Sequence, residues 1–571
     1  MESKSHSNAC PQRYLLHLAR THPTFRIPDL DSCARFFGFG IRLLATGDYF
    51  IAGAGQSVNN DNGSEWGIQV KSTRELEDAI GRGSSALVVI EFTEGRGVYQ
   101  EHHGEVPLVV NDVDQTDEWA RILTTRCIML KAISHAFSPV PSSPNYSHLR
   151  KSMEPRRELW QADEDAQKEY SFELVGINRK IGFPRRRDTI ENFAFMGLTA
   201  KANLKKPQVT YMVYEEYEES AFDLAMRNSE EGAKTKVKLE EATEGIYPLR
   251  IFMGRLVAYG QARSLIQKFI VKERKFYGNT SMESEMSLLM AGQTLSDNGK
   301  IIYDPFAGTG SLLYTCAHWG SYVMGSDIDG RQMRGKDKSG PGVFRAAQQY
   351  GIRDKMLDCL TFDVTRNPWR RGELLDAIIT DPPYGVRAGA KRLGRKVGRK
   401  KLITEPVMLP NGVWSHEAPG YIPASKPYEM VDLVNDLVMF ARYMLVPGGR
   451  LVFFLPTFTE EWDPVDLPTI EGMREISFGQ GSAQEFNKWS RRLITMEKYS
   501  VRDANGEEKK WDAPNFVPLD VEFEEMGLED DDRGERDEAP RRVAKVPGHA
   551  NFRERYVTGF PSTPTTPLSE D

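Results

Sequence analysis

At 571 residues, with 40% hydrophobic and 27% charged side chains, the chain can hold several domains around a sizeable core, and no apolar run approaches the roughly 18 residues of a membrane span. The five cysteines (Cys10, Cys33, Cys127, Cys316 and Cys359) lie far apart and residues 1–10 are polar; this argues against a disulfide framework, a metal site and a secretory leader, and predicts a cytoplasmic protein with no membrane contact. The net charge of −7 is a property of residues 503–571, whose 18 acidic and nine basic side chains leave +2 for residues 1–502.

Residues 14–18 read as a strand, 29–37 as a helix behind Pro28, 50–54 as a strand, 73–80 as a helix with Thr73 at its N-cap, and 87–92 as a β-branched strand. They predict an α+β N-terminal domain of ferredoxin-like type over residues 1–115. The Ser/Pro stretch 138–147, with three prolines, is a loop. A strand at 172–177, a helix near 189–196 and a strand at 209–214 predict a second α+β unit, bounded at 116–262.

Between those elements Arg179, Lys180, Arg185, Arg186, Arg187, Lys201, Lys205 and Lys206 fall within 28 residues, interleaved with Phe183, Phe193 and Phe195. Cations beside aromatic faces suit phosphate contact and base stacking, which makes this a candidate RNA surface. A solvated face whose phenylalanines belong to the core is the alternative. Residues 215–244 read as a highly charged insertion, 250–260 as a hairpin turning at Gly254, and 262–275 as a linking helix.

From residue 276 the pattern becomes that of a doubly wound α/β domain, bounded at 263–502. Short apolar strands are predicted at 301–303, 322–325, 377–380, 450–454, 474–478 and 493–499, in a mostly parallel sheet of about seven strands. Residues 428–444 form a helix with Met430, Leu433, Val434, Leu437, Phe440, Ala441 and Met444 on one face, ended by Pro447-Gly448-Gly449. Residues 503–571 read as an acidic, largely disordered tail.

The segment Asp304-Pro305-Phe306-Ala307-Gly308-Thr309-Gly310 follows the first of these strands. Glycines at a strand-to-helix turn admit a ligand close to the backbone, while the absence of a G-x-G-x-x-G spacing and of a P-loop lysine disfavours dinucleotide or phosphate binding. Asp327 ends the second strand and Asp363 follows one β-α unit later, where carboxylates can accept from a ribose and from an adenine amino group. Each aspartate alone is an ordinary turn residue. In this order they describe an adenosine bound along the sheet edge, and S-adenosyl-L-methionine is the cofactor that joins adenosine to an amino acid.

After the strand 377–380 comes Asp381-Pro382-Pro383-Tyr384. An exocyclic base amine is a weak nucleophile because its lone pair is delocalised into the ring. Accepting its two N–H groups, by the Asp381 carboxylate and the Pro382 carbonyl, favours a pyramidal nitrogen, while Pro383 stiffens the turn and Tyr384 stacks on an extruded base. Residues 391–401, with seven Lys/Arg, are placed near the pocket mouth.

With these motifs the chain resembles the eukaryotic tRNA guanine-10 N2-methyltransferase catalytic subunits. The likeness rests on Phe276-Tyr277-Gly278-Asn279-Thr280-Ser281-Met282, on 304–310, 326–329 and 381–387, and on Phe552-Arg553-Glu554-Arg555-Tyr556 near the end. It implies a class I (Rossmann-like) methyltransferase fold preceded by a THUMP domain around 179–206, guanine in tRNA as substrate, and a small zinc-binding methyltransferase activator protein as heterodimer partner. It further implies Thr280 and Ser281 near the methionine end of the cofactor, and a terminal segment that folds back. An amino methyltransferase acting on another RNA or on adenine, and a noncatalytic RNA-binding subunit, remain open at this stage.

Overall fold

The computed structural model describes residues 12–44, 50–51, 68–69, 86–99, 107–137, 145–218, 242, 246–335, 341–369, 372–384, 390–393, 407–415, 417–418, 425–458, 467–476, 482–486, 489–503, 505–511, 549, 552 and 556. The predicted helix at 73–80, most of the 391–401 basic run and most of the acidic tail lie outside them. The chain divides into two compact units, one of residues 1–269 with 481–487, the other of residues 270–480 with 488–571.

The first unit is built on one mixed sheet. Its strands are β1 (Tyr14–Leu18), β2 (Gly40–Leu43), β5 (Leu87–Thr93), β6 (Gly97–Val98), β7 (Leu130–Ala136), β8 (Tyr170–Ile177), β9 (Val209–Glu216) and β10 (Arg250–Tyr259), in the order β6-β2-β5-β1-β7-β10-β9-β8; β3 (Phe50–Ile51) and β4 (Ile68–Gln69) pair separately. Strands from both sides of residue 115 therefore share one sheet, with β7 between β1 and β10. The helix Arg26–Phe37 stops at Gly38, whose φ of 85° is the left-handed conformation favoured at a helix C-terminus.

Three expectations change in this unit. Arg250–Tyr259 form one strand and no hairpin, because β10 pairs over residues 250–255 with β9 on one side and over 254–259 with β7 on the other. Gly254 serves close strand approach, since a Cβ there would lie 2.2 Å from the His135 carbonyl oxygen. The first residues of the predicted charged insertion at 215–244 belong to the sheet: Glu215 and Glu216 end β9, fully buried, with the Arg185 guanidinium 3.2 Å from Glu215 and Arg250 paired with Glu216 at 2.5 Å. The linking helix is broken, running only Ser264–Lys268 before Phe269 turns into the core and a 3-10 turn follows at Val271–Glu273.

The second unit carries the strands β11 (Ile301–Asp304), β12 (Tyr322–Asp327), β13 (Met356–Thr361), β14 (Leu375–Thr380), β17 (Leu445–Phe458), β18 (Met473–Glu475) and β20 (Trp489–Lys498), in the order β13-β12-β11-β14-β17-β20-β18. β13 to β17 are parallel and β20 is antiparallel to both its neighbours. The strand order reverses between β11 and β14, and at such a switch point the crevice opens beyond the carboxyl ends of the strands. This is the class I methyltransferase sheet. A small ribbon of β15 (Lys391–Leu393) and β16 (Ser425–Pro427) stands apart from it.

The helix Met430–Met444 buries Met430, Val434, Leu437, Phe440, Ala441 and Met444 of the predicted face with Tyr303, Ile378, Leu451 and Phe453 of the sheet, while Leu433 packs with Ala390 and Tyr428. It ends at Leu445, which already belongs to β17, so Pro447-Gly448-Gly449 sits inside the strand as an irregularity that shifts the pairing register with β14. Among the described residues no helix is long and apolar enough to cross a membrane.

Candidate active site

The tips of β11, β12 and β14 bring the predicted carboxylates to one edge. Asp304 ends β11, 2% exposed, and its Oδ1 accepts from the Thr380 hydroxyl at 2.7 Å and the Phe306 N–H at 3.0 Å, which joins the first glycine-turn residues to the base of the Asp381 loop. Asp327 ends β12, and its Oδ2 accepts from the Gly308 N–H at 3.0 Å. Gly308 and Gly310 have φ of 50° and 81°, so both occupy the left-handed region. Gly310 then starts the helix Ser311–His318, and Tyr314 reaches back to donate to the Thr309 carbonyl at 2.8 Å.

Ser281 connects the preceding segment to this loop. Its hydroxyl accepts from the Gly278 N–H at 2.9 Å and shares a hydrogen bond with Thr309 at 2.7 Å. Thr280 is exposed beside it. Asp363 follows β13 and is buried; its Oδ1 accepts from the Thr365 N–H and hydroxyl, both at 2.9 Å, and its Oδ2 from the Leu393 N–H of β15. A carboxylate has about four lone-pair sites, so these contacts leave capacity for a further donor.

Asp381 lies just past β14. Its Oδ1 accepts from the Tyr384 hydroxyl, and its Oδ2 lies 3.3 Å from Nη1 of Arg491. The other terminal nitrogen of Arg491 is 3.2 Å from Glu283, and its guanidinium lies 4.4 Å from the Phe454 ring centroid. Tyr384 packs edge-on to Trp489, with ring centroids 6.2 Å apart. Trp489 in turn meets Phe552 and Tyr556, and Phe552 lies 5.1 Å from Phe458, so these two aromatic residues pack on the strand pair beside the Asp381 loop.

The site is electrostatically acidic. Burial pushes the Asp304 carboxyl up to about 7, with Asp327 and Asp381 adding in the same direction. Burial also raises Asp327 and Asp381. Asp381 keeps 26% of its side-chain surface exposed, yet burial outweighs the opposing pull of Arg491 and of the Tyr384 hydrogen bond. A crevice of this sign attracts a cation. These residues fit S-adenosyl-L-methionine: the carboxylates are acceptors for an adenosine, the sulfonium carries positive charge, and Gly308 offers a loop where a Cβ would meet only the Phe306 carbonyl oxygen, at 3.9 Å.

In the first unit the basic residues separate into two sets. Arg185 is turned inward, to Glu215 and the Ile246 carbonyl. Lys180, Arg186, Arg187, Lys205 and Lys206 are exposed, and Arg179 is half-buried. Phe193 is core and Phe195 packs against it, whereas Phe183 is 82% exposed at the start of the helix Phe183–Glu191. Also in this unit, Asp29, Cys33 and Cys127 cluster in the interior; Cys127 donates to the Asp29 carboxyl at 3.1 Å, and burial raises both thiols, which favours their neutral form.

Comparison with known proteins adds lineage to this geometry. Residues 96–237 match the family model described as Tmrp11 THUMP N-terminal domain, and residues 272–402 match the RMKL-like methyltransferase domain. The tRNA (guanine(10)-N(2))-methyltransferase of Schizosaccharomyces pombe is 30% identical over 546 residues, covering 95% of this chain and 96% of its own. The chain belongs to the tRNA (guanine(10)-N(2))-methyltransferase family. The Saccharomyces cerevisiae enzyme of that name is 37% identical over 326 residues, 57% of this chain and 69% of that one. The human relative, tRNA (guanine(10)-N(2))-methyltransferase TRMT11, is 31% identical over 475 residues, 81% of this chain and 88% of that one. Among solved structures, TrmN from Thermus thermophilus overlaps at a TM-score of 0.34 and 14% identity, over 85% of this chain and 99% of that one, too loose a likeness to carry weight.

In this member of the family, motif reading did not find Arg491, Glu283, Thr309, Thr380 or Trp489. Arg491 is 110 residues from Asp381 and carries no local signature. Thr309 lay inside the glycine turn and was legible only as a spacer until its hydroxyl met Ser281.

Proposed function

We propose that the chain is the catalytic subunit that forms N2-methylguanosine at position 10 of tRNA, with S-adenosyl-L-methionine as methyl donor. The observation that carries the reading is the placement of Asp381 and Tyr384 beside the Asp304–Gly308–Asp327 turn on one sheet edge, in a chain whose relatives bear that enzyme name. Asp304, Phe306, Gly308, Gly310, Asp327 and Asp363 hold the cofactor, with Thr280 and Ser281 toward its methionine end. When bound, it supplies an electrophilic methyl group.

The Asp381 carboxylate and the Pro382 carbonyl accept the two N–H groups of the guanine amine and aim its lone pair. Asp381 takes the proton that the nitrogen sheds. Pro383 holds the turn rigid and Tyr384 flanks the base. We assign residues 1–115 to a ferredoxin-like domain, 116–262 to a THUMP domain, 263–502 to the methyltransferase and 503–571 to the tail. Exposed Lys180, Arg186, Arg187, Lys205 and Lys206, with Arg179, make the RNA surface; Arg185 supports it from within through Glu215. A small zinc-binding activator completes a cytoplasmic heterodimer in this reading.

Asp381→Ala tests it on unmodified tRNA, with and without such an activator, by nucleoside mass spectrometry and tRNA binding. The wild type is expected to yield N2-methylguanosine and the variant to lose at least about 100-fold in turnover, with tRNA affinity kept. Methyladenosine as sole product, or unchanged turnover in the variant, would overturn the assignment.

A further inference from the structure

We propose that Arg491 is a positioning residue for methyl transfer: it holds the Asp381 carboxylate ionised and aimed at the amine, and Glu283 sets how strongly it does so. The proposal rests on the activity above. It goes beyond the motif, because Arg491 comes from β20 and reaches Asp381 only through the fold.

Three observations support it. Arg491 is 9% exposed, and its two terminal nitrogens serve different carboxylates, Asp381 at 3.3 Å and Glu283 at 3.2 Å. The ring of fully buried Phe454 lies 4.4 Å from its guanidinium and restricts the orientation of the fork. Glu283 precedes the helix Ser284–Gln293 and follows the Gly278–Ser281 turn that is tied to Thr309, so the bridge links the cofactor side of the site to the amine acceptor.

Among the described residues, the charged and titratable groups facing Asp381 are Arg491 from β20, Tyr384 from its own loop, Glu283 ahead of the helix, and Asp304 at the tip of β11. Burial favours the neutral acid at Asp381, which is a weaker acceptor and could no longer take the proton that the amine sheds. Arg491 opposes that shift and Glu283 reinforces it. Removal of either therefore moves the ionisation of Asp381, in opposite directions.

The test is single-turnover methyl transfer by the full-length protein, purified with any partner that accompanies it, across a pH series. Arg491→Met is expected to move the acid limb of the rate profile up by about 1–3 pH units, the range over which an adjacent opposite charge acts. Arg491→Lys keeps the charge but cannot bridge both carboxylates, so the limb stays near the wild-type position while the plateau falls about tenfold. Glu283→Gln moves the limb down. Its side chain is 51% exposed, so this variant decides the matter if Arg491→Met does not fold.

A uniform loss at every pH in Arg491→Met, or a limb that is unmoved or raised in Glu283→Gln, overturns the proposal. Wild-type protein that transfers no methyl group to tRNA sinks the activity reading instead. In that event isotope-edited infrared titration of the carboxyl band lost in Asp381→Asn still reports whether Arg491 and Glu283 move it as stated.

Discussion

Asp304 shows how one buried carboxyl ties the site to stability. In the folded chain its proton is held up to about pH 7, whereas the ordinary value is 3.8, so the unfolded chain loses that proton first as pH rises. Below both values the group contributes no pH dependence. Between them the unfolded state releases a proton that the native state keeps, so stability falls as pH rises from about 4 to about 7. Asp304→Asn keeps an oxygen for Thr380 and Phe306 but cannot ionise, and denaturant melts should show a shallower decline than the wild type over that interval. Parallel curves would mean that Asp304 ionises freely in the folded chain. Asp29, pushed up to about 6 by burial in the other unit, contributes a slope of the same sign and is left untouched by the substitution.

The glycine turn between β11 and the helix Ser311–His318 depends on two positions that differ in kind. At Gly310 a Cβ would lie 2.9 Å from the Tyr314 hydroxyl, at a φ of 81°. Gly310→Ala should destabilise the fold by about 1–2 kcal/mol for the left-handed backbone alone, and should also displace Tyr314 from the Thr309 carbonyl. Gly308 has a φ of 50°, so Gly308→Ala carries a similar left-handed backbone cost but not the Tyr314 clash, since a Cβ would meet only the Phe306 carbonyl oxygen at 3.9 Å; it should cost less than Gly310→Ala and add a loss of cofactor affinity. Thermal melts and calorimetric titration with S-adenosyl-L-methionine separate the two; equal losses of stability would count against the distinction. Elements of this kind were legible in the sequence because strand, glycine turn and helix are contiguous. The strand Arg250–Tyr259 was not, since a glycine that turns a chain and one that admits a neighbouring strand look alike in a local window.

At the scale of the molecule, the terminal segment and the catalytic unit are one packing problem. Phe552 is 2% exposed between Phe458 and Trp489, and burying a side chain of this size is worth about 1.5–3 kcal/mol. Truncation after residue 548 should therefore lower the melting temperature of the catalytic unit and reduce turnover more than tRNA affinity; wild-type turnover in the truncated protein would show that Trp489 holds its place beside Tyr384 unaided. By itself the sequence determined the strands at 301–303, 322–325, 377–380, 450–454 and 493–499, the helix at 428–444, the carboxylates after β11 and β12, the glycine turn and the Asp381 loop, because each depends on residues a few positions apart and on side-chain period, whereas β13 was not among the predicted strands. Only the tertiary structure decided that Glu215 and Glu216 are buried against Arg185 and Arg250, and that Arg491 sits against Asp381. A buried charge is stable only beside a partner, and chain folding brings that partner from tens of residues away, where no local pattern records it.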